Sequence, residues 1–384
     1  MNKYLLILIK IFIIINIFDP ADLIFKLKVP LFLLIWVFFL FDYIINKNYI
    51  TFSNKLINIV FIFISIPFFS ILYYHLYNGS LPYAGFQSLK AYLYFTILFI
   101  FYTYNYNLLS FTSNVLTLLA TIILTTYFII LVNPSIFNTF YQFGTDYGIF
   151  LIGDRKYDEN LSVLNIYFVC SPMIAISISY STYKFLNKKN IYNTFILFIN
   201  IFGMFTAGTR NNMFVSILLP LSIFFIYSKN KIWFFLFSLI PLFFLIKIYQ
   251  NELIALFSIN ETSNNTKIQM LKDYIQIFKN PLNLFFGQGL GSYYYWSDRQ
   301  EFYYTTELTF LEIFRNFGLI LGIPILIILL IPLQKLFSKN INSIKFLYLG
   351  YLFYLIMCFT NPYLFSSLGM LILSIVYFNY YKIL

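Results

Sequence analysis

Four of the 25 basic residues in this chain are arginine: Arg155, Arg210, Arg299 and Arg315. Lysine does the routine charge work, so the guanidinium groups stand out as planar, permanently charged donors that hold phosphate or carboxylate oxygens in pairs. Two of them have telling neighbours. Arg210 falls in the polar run Thr206-Ala-Gly-Thr-Arg210-Asn-Asn212 between two apolar stretches, and Arg315 lies inside an apolar run that opens near Glu307. A charge that deep in apolar sequence is costly without a partner. Glu312 at i−3 is placed to be one, with Glu307 two turns earlier on a neighbouring face. The trio is either an ion pair that orients its helix or a charged site, with a carboxylate for proton transfer and guanidinium for anion binding.

The residues ahead of this trio are aromatic. Tyr293, Tyr294, Tyr295 and Trp296 precede Arg299, and Phe302, Tyr303 and Tyr304 follow it. Flat rings with polar edges suit sugar rings, and they equally suit the belt where a membrane meets water. The single histidine, His75, reads as a packed or interfacial residue, and Cys170 and Cys358 read as small apolar packing residues. The chain has no CxxC, HExxH or histidine cluster, so a protein-bound zinc site is not expected.

The elements that must position these groups follow from composition. With 60% hydrophobic and only 10% charged residues, the chain carries more apolar surface than one soluble core can hide. Apolar runs of about 20 residues, long enough to cross roughly 30 Å of hydrocarbon, recur throughout, and hydrocarbon satisfies backbone groups only in helices or closed barrels. The expected fold class is therefore all-α: a polytopic transmembrane protein of about twelve spans, near 4–18, 29–45, 56–74, 89–103, 111–132, 161–180, 191–207, 212–228, 231–250, 307–333, 345–360 and 362–380. Residues 1–249 hold the first nine, 250–306 form one large extracytoplasmic loop, and 307–384 hold the last three. The first run lacks a small-residue cleavage site and reads as a retained helix.

Placing the amino terminus in the cytoplasm puts Lys47, Lys55, Lys184, Lys188, Lys189, Lys229, Lys231, Lys335, Lys339, Lys345 and Lys382 inside, as the positive-inside rule requires. The net charge of +11 is then mostly an inner-leaflet feature and makes no case for nucleic acid. All four arginines fall on or near the outer face, either by the chance of topology or because something anionic is recognised there. In the large loop, Ile268, Leu271, Ile275 and Phe278 recur at helical spacing among Lys267, Lys272, Asp273, Gln276 and Lys279, which predicts an amphipathic helix at the membrane surface that Asn280-Pro281 stops. Gly287-Gln-Gly289-Leu-Gly291 follows and permits a tight turn or close approach to a ligand.

Three stretches, Thr206 to Met213, Lys267 to Gly291 and Glu307 to Ile320, with a fourth from Thr360-Asn361-Pro362, resemble in order and spacing the O-antigen polymerase (Wzy) family, within the O-antigen ligase-like group. Glu307 stands where ligases of that group tend to carry histidine, which favours polymerase. The resemblance implies a glycosyltransferase in the bacterial inner membrane, with both termini cytoplasmic. It would move a growing O-antigen or capsular glycan from undecaprenyl pyrophosphate onto the non-reducing end of a lipid-linked repeat unit at the periplasmic face. Glu307, Arg210 and Arg315 would then be catalytic. Arg299, Lys267, Arg155, Tyr294, Trp296 and Glu312 would contact the pyrophosphate or glycan, with no metal or nucleotide required. Its partners would be the lipid-linked oligosaccharide, the bilayer, a chain-length regulator and a flippase. A ligase-type transferase and a flippase or transporter of lipid-linked oligosaccharide remain the alternatives.

Overall fold

The computed structural model describes residues 2–46, 52–79, 82–158, 161–228, 247, 262–297, 299–337 and 344–382. Over these residues the chain is largely helical. The first part holds α1 (Asn2–Phe18), α2 (Lys28–Asn46), α3 (Asn54–Asn78), α4 (Tyr83–Leu93) leading through a 3-10 turn into α5 (Ile97–Tyr104), α6 (Leu109–Val132) and α7 (Phe137–Tyr147). A hairpin of β1 (Phe150–Asp158) and β2 (Leu161–Phe168) precedes α8 (Ile174–Asn187), α9 (Ile191–Thr206) and α10 (Arg210–Tyr227). Then come α11 (Thr262–Phe278), α12 (Pro281–Phe286), a short hairpin of β3 (Tyr294–Trp296) and β4 (Glu301–Tyr303), α13 (Thr309–Leu330), α14 (Lys345–Cys358) and α15 (Ser367–Lys382).

Six helical segments among the described residues are long and apolar enough to cross a membrane: 28–45, 54–78, 83–104, 109–132, 210–227 and 309–337. Each advances about 1.5 Å per residue, so 18 residues or more approach the roughly 30 Å hydrocarbon thickness. The apolar helices α9 and α14 are shorter, and the expected span over 231–250 lies, apart from residue 247, outside the described residues. Side chains such as Phe61, Phe69, Phe128 and Ile327 point outward without a protein neighbour to cover them, as lipid-facing positions do.

The span expected over 161–180 is corrected. Its first half is strand β2, paired antiparallel with β1 in a register that sets Ile166 against Ile152 and Phe168 against Phe150. Pro172 sits in a 3-10 turn that leads into α8. The residues explain this: in Asn165-Ile166-Tyr167-Phe168 only alternate positions are fully buried, a period of two that total hydropathy hides. Two hairpins therefore stand in what an all-α reading left as helix and loop.

At the centre α6, α8, α9, α10 and α14 pack on one another. Small residues let the backbones approach: a Cβ on Gly203 of α9 would stand 2.7 Å from the Ala120 carbonyl oxygen on α6. Polar glue lies beside it, where buried Asn200 donates to Thr117 Oγ1 at 3.1 Å and accepts from Ser177 Oγ. Gly203→Leu should force α6 and α9 apart and cost about 1–3 kcal/mol. The exposed neighbour Phe202→Leu should be near neutral, and thermal unfolding in detergent distinguishes the two.

Candidate functional site

The site begins with a broken helix. Gly318 of α13 has φ 64° and ψ −175°, which interrupts the hydrogen-bond ladder and frees the carbonyls just before it. Free carbonyls are not tolerated at membrane depth unless something else donates to them. The Gly287–Gly291 loop does so: Gln288 N–H donates to Arg315 O at 2.6 Å and Gly289 N–H to Asn316 O at 3.2 Å, while Ser70 Oγ of α3 adds a bond of 2.8 Å to Asn316 O. Ser70 Oγ in turn accepts from Leu290 N–H at 2.8 Å. The glycines make this approach fit, since a Cβ on Gly287 would lie 2.6 Å from Gly318 N and one on Gly318 would collide with the Phe285 carbonyl. In the described structure the glycine run thus closes on helix backbone.

Arg315, 0% exposed, sits one turn ahead of the break. Its Nε donates to Glu312 Oε2 at 3.0 Å and Nη2 to Glu312 Oε1 at 2.5 Å. Nη2 also reaches Tyr304 O at 2.8 Å, and Nη1 reaches Ser292 O at 2.9 Å, Ser292 Oγ at 2.8 Å and Gln288 Oε1 at 3.3 Å. A guanidinium has five N–H groups, and these partners occupy its whole fork. Glu312 is equally committed, accepting also from Asn316 Nδ2 at 3.1 Å, from Thr306 Oγ1 at 3.3 Å and from the Tyr274 hydroxyl. Burial, with the charge of Glu312 adding to it, holds the Tyr274 phenol protonated far above its usual range. Arg315 therefore ties three separate loop positions and α11 to one turn of α13.

A second cluster lies at the start of α10. Thr209 caps the helix by accepting from Asn212 N–H at 3.2 Å, which makes Arg210 its first residue. The Arg210 Nη1 donates to Asn264 Oδ1 of α11 at 2.8 Å, Asn211 Nδ2 to Thr360 Oγ1 at 2.5 Å, and Asn212 Nδ2 to Ser171 Oγ at 2.9 Å. The 360–361 turn also accepts from α13, through Thr309 Oγ1 to Asn361 O at 2.8 Å. One turn along α11 from Asn264, Lys267 Nζ lies 3.8 Å from Glu307 Oε2. Glu307 precedes α13, and its side chain is 48% exposed. An ion pair that open contributes about 0–1 kcal/mol and separates easily.

The structure thus joins Arg210, Lys267 and Glu307 along the first turns of α11, and Tyr294, Glu312 and Arg315 through its middle turns. Tyr294 points inward, stacked on Tyr274 at 6.0 Å with the Arg315 guanidinium 5.2 Å from its ring. Trp296 is also buried, and Arg299 lies over it at 4.4 Å on the exposed side of the hairpin, donating to Tyr303 OH at 3.4 Å. Strand alternation leaves Tyr293, Tyr295, Phe302 and Tyr304 as the outward rings. Arg155 lies on β1 opposite Val163. The apolar stripe of α11 is turned the other way from its packed face: Ile268, Leu271 and Ile275 stay exposed, and the helix rests on Met270 and Tyr274. Sequence reading missed Tyr274, Gln288, Ser292 and Thr306, whose roles depend on contacts across long stretches of chain.

Removing one partner of a buried pair leaves an uncompensated charge, so Arg315→Met should cost about 3–5 kcal/mol. Adding Glu312→Gln to Arg315→Met should recover part of that loss, read as the thermal unfolding midpoint in detergent of both single variants and the pair. Comparison of the chain with protein families, with curated proteins and with solved structures returned no match.

Proposed function

We propose that the chain is a multi-pass glycan polymerase of the bacterial inner membrane, in which the end carrying Arg210, Lys267 and Glu307 faces the periplasm. It transfers a growing O-antigen or capsular glycan from undecaprenyl pyrophosphate to a lipid-linked repeat unit. The observation that supports this best is the chain of contacts along α11: Arg210 to Asn264, then Lys267 to Glu307. It gathers two cations, a helix amino terminus and an accessible carboxylate, the groups a reaction with a diphosphate leaving group needs.

In this reading a hydroxyl of the non-reducing terminal sugar on the acceptor attacks the anomeric carbon of the donor. The new C–O bond forms as the bond from that carbon to the pyrophosphate oxygen breaks. Undecaprenyl pyrophosphate departs with the electron pair, and the hydroxyl proton passes to the Glu307 carboxylate. Arg210 and Lys267 stabilise the charge that grows on the diphosphate, helped by the positive end of α10. Arg315 acts as a positioning residue, because its N–H groups already hold Glu312, Ser292 and Tyr304. The outward aromatic face of the β3–β4 hairpin and Arg299 flank the approach. A chain-length regulator and a flippase are the protein partners such a reaction calls for, and the donor arrives already activated, so no nucleotide or metal enters the step.

Deleting the gene should leave the lipid core bearing a single repeat unit, and Arg210→Ala, at normal protein level, should cut polymer formation roughly 100- to 1,000-fold, the cost of losing one preorganised charge donor. The readout is the length distribution of surface glycan. Full ladders from Arg210→Ala cells would sink the proposal. Bare core in the deletion strain would point to a ligase, and repeat units stranded on the inner leaflet to a transporter.

A further inference from the structure

The β1–β2 hairpin turns one face to the core and the other to a recess. Phe150, Ile166 and Phe168 are buried on the core side, while Leu151, Gly153, Asn165 and Tyr167 share the opposite face, with Gly153 across from Asn165 and Leu151 across from Tyr167. That face meets Ala207, Gly208 and Thr209, the turn just ahead of Arg210, across a cleft of about 370 Å³. The size falls in the range of small-molecule sites, roughly 300–1,000 Å³. Position 153 looks onto open space: a Cβ there would meet nothing within 4 Å.

Two polar atoms on these walls, Asn165 Oδ1 and the Tyr167 hydroxyl, are buried with no hydrogen-bond partner among the described residues. Buried polar atoms are usually paired in folded proteins, and among the unpaired ones these two share one strand face beside the cleft, where a ligand would pair them. The Thr209 hydroxyl, which accepts from Asn212 N–H, still has a proton to donate beside them. Among the described residues lining the cleft none is Asp, Glu, Lys, Arg or His, so no described side chain there offers an anion a counter-charge. The remaining walls, Leu151, Ile152 and Ala207, are apolar. Acceptor, hydroxyl and apolar wall together match the alternating hydroxyls and C–H face of a sugar ring.

We propose that this cleft binds one neutral sugar residue, with Asn165 accepting from a ring hydroxyl and Tyr167 bonding a second. The assignment of that sugar to the lipid-linked glycan rests on the polymerase reading, and it would give the chain a glycan contact beside the diphosphate-binding groups and distinct from them. The test is ligand-observed NMR on the full-length protein in nanodiscs, with glucose, galactose, rhamnose, N-acetylglucosamine, N-acetylgalactosamine and inorganic phosphate as probes. At least one neutral sugar should bind saturably and phosphate should not compete with it. Gly153→Leu, which fills the cleft from a position with room for a side chain, should weaken binding about tenfold or more without lowering thermal stability, and Asn165→Leu should weaken it likewise. The proposal is overturned if no sugar in the panel binds, as it would be if water alone fills the cleft, or if binding survives Gly153→Leu. Intact sugar binding by a protein whose deletion leaves surface glycan unaltered would refute the polymerase reading and keep this site.

Discussion

The buried guanidinium of Arg315 is the constraint around which one end of the molecule is organised. A charge with no solvent access must be matched atom by atom, and Arg315 is matched by Glu312 on its own helix and by Ser292, Tyr304 and Gln288 from the segment that precedes it. The helix that carries it is broken one turn later at Gly318, and the same segment donates the N–H groups that the break leaves wanting. Charge satisfaction and backbone satisfaction are thus met by one loop, and the loop has no alternative place to sit. The glycines of Gly287–Gly291 are the residues small enough to let it reach helix backbone.

From that fixed point the rest of the site follows. Tyr274, held by Glu312, fixes the middle of α11, and the first turns of α11 then carry Asn264 and Lys267 to Arg210 and Glu307. The two clusters differ in the way a scaffold and a working surface differ. Around Arg315 the guanidinium N–H groups and the Glu312 carboxylate oxygens are taken up by protein partners. Glu307, its side chain 48% exposed, meets Lys267 in an ion pair of 3.8 Å, weak enough for a charged ligand to replace.

The sequence was most readable where one local rule decides. Asn280-Pro281 stops a helix, and Glu312 pairs with Arg315 because i and i+3 share a helix face. It was least readable where two periods coincide in an apolar run. Residues 161–180 have the hydropathy of a span, yet alternation at 165–168 makes a strand, and Tyr294 and Trp296 point inward because neighbouring strand positions face opposite ways. The stripe Ile268, Leu271 and Ile275 was correctly apolar, but no local rule tells whether such a stripe meets protein or lipid. The partners of Arg315 beyond its own helix were hidden for another reason: Tyr304 and, beside its hydroxyl, Ser292 contribute backbone carbonyls, which every residue has.

Hydrogen exchange at the Gln288, Gly289 and Leu290 amides of the protein in nanodiscs tests the central claim most directly, because all three donate to the broken end of α13 or to Ser70. The account predicts that these loop amides exchange as slowly as amides within the membrane helices. Exchange at the rate of an open glycine-rich loop would contradict it.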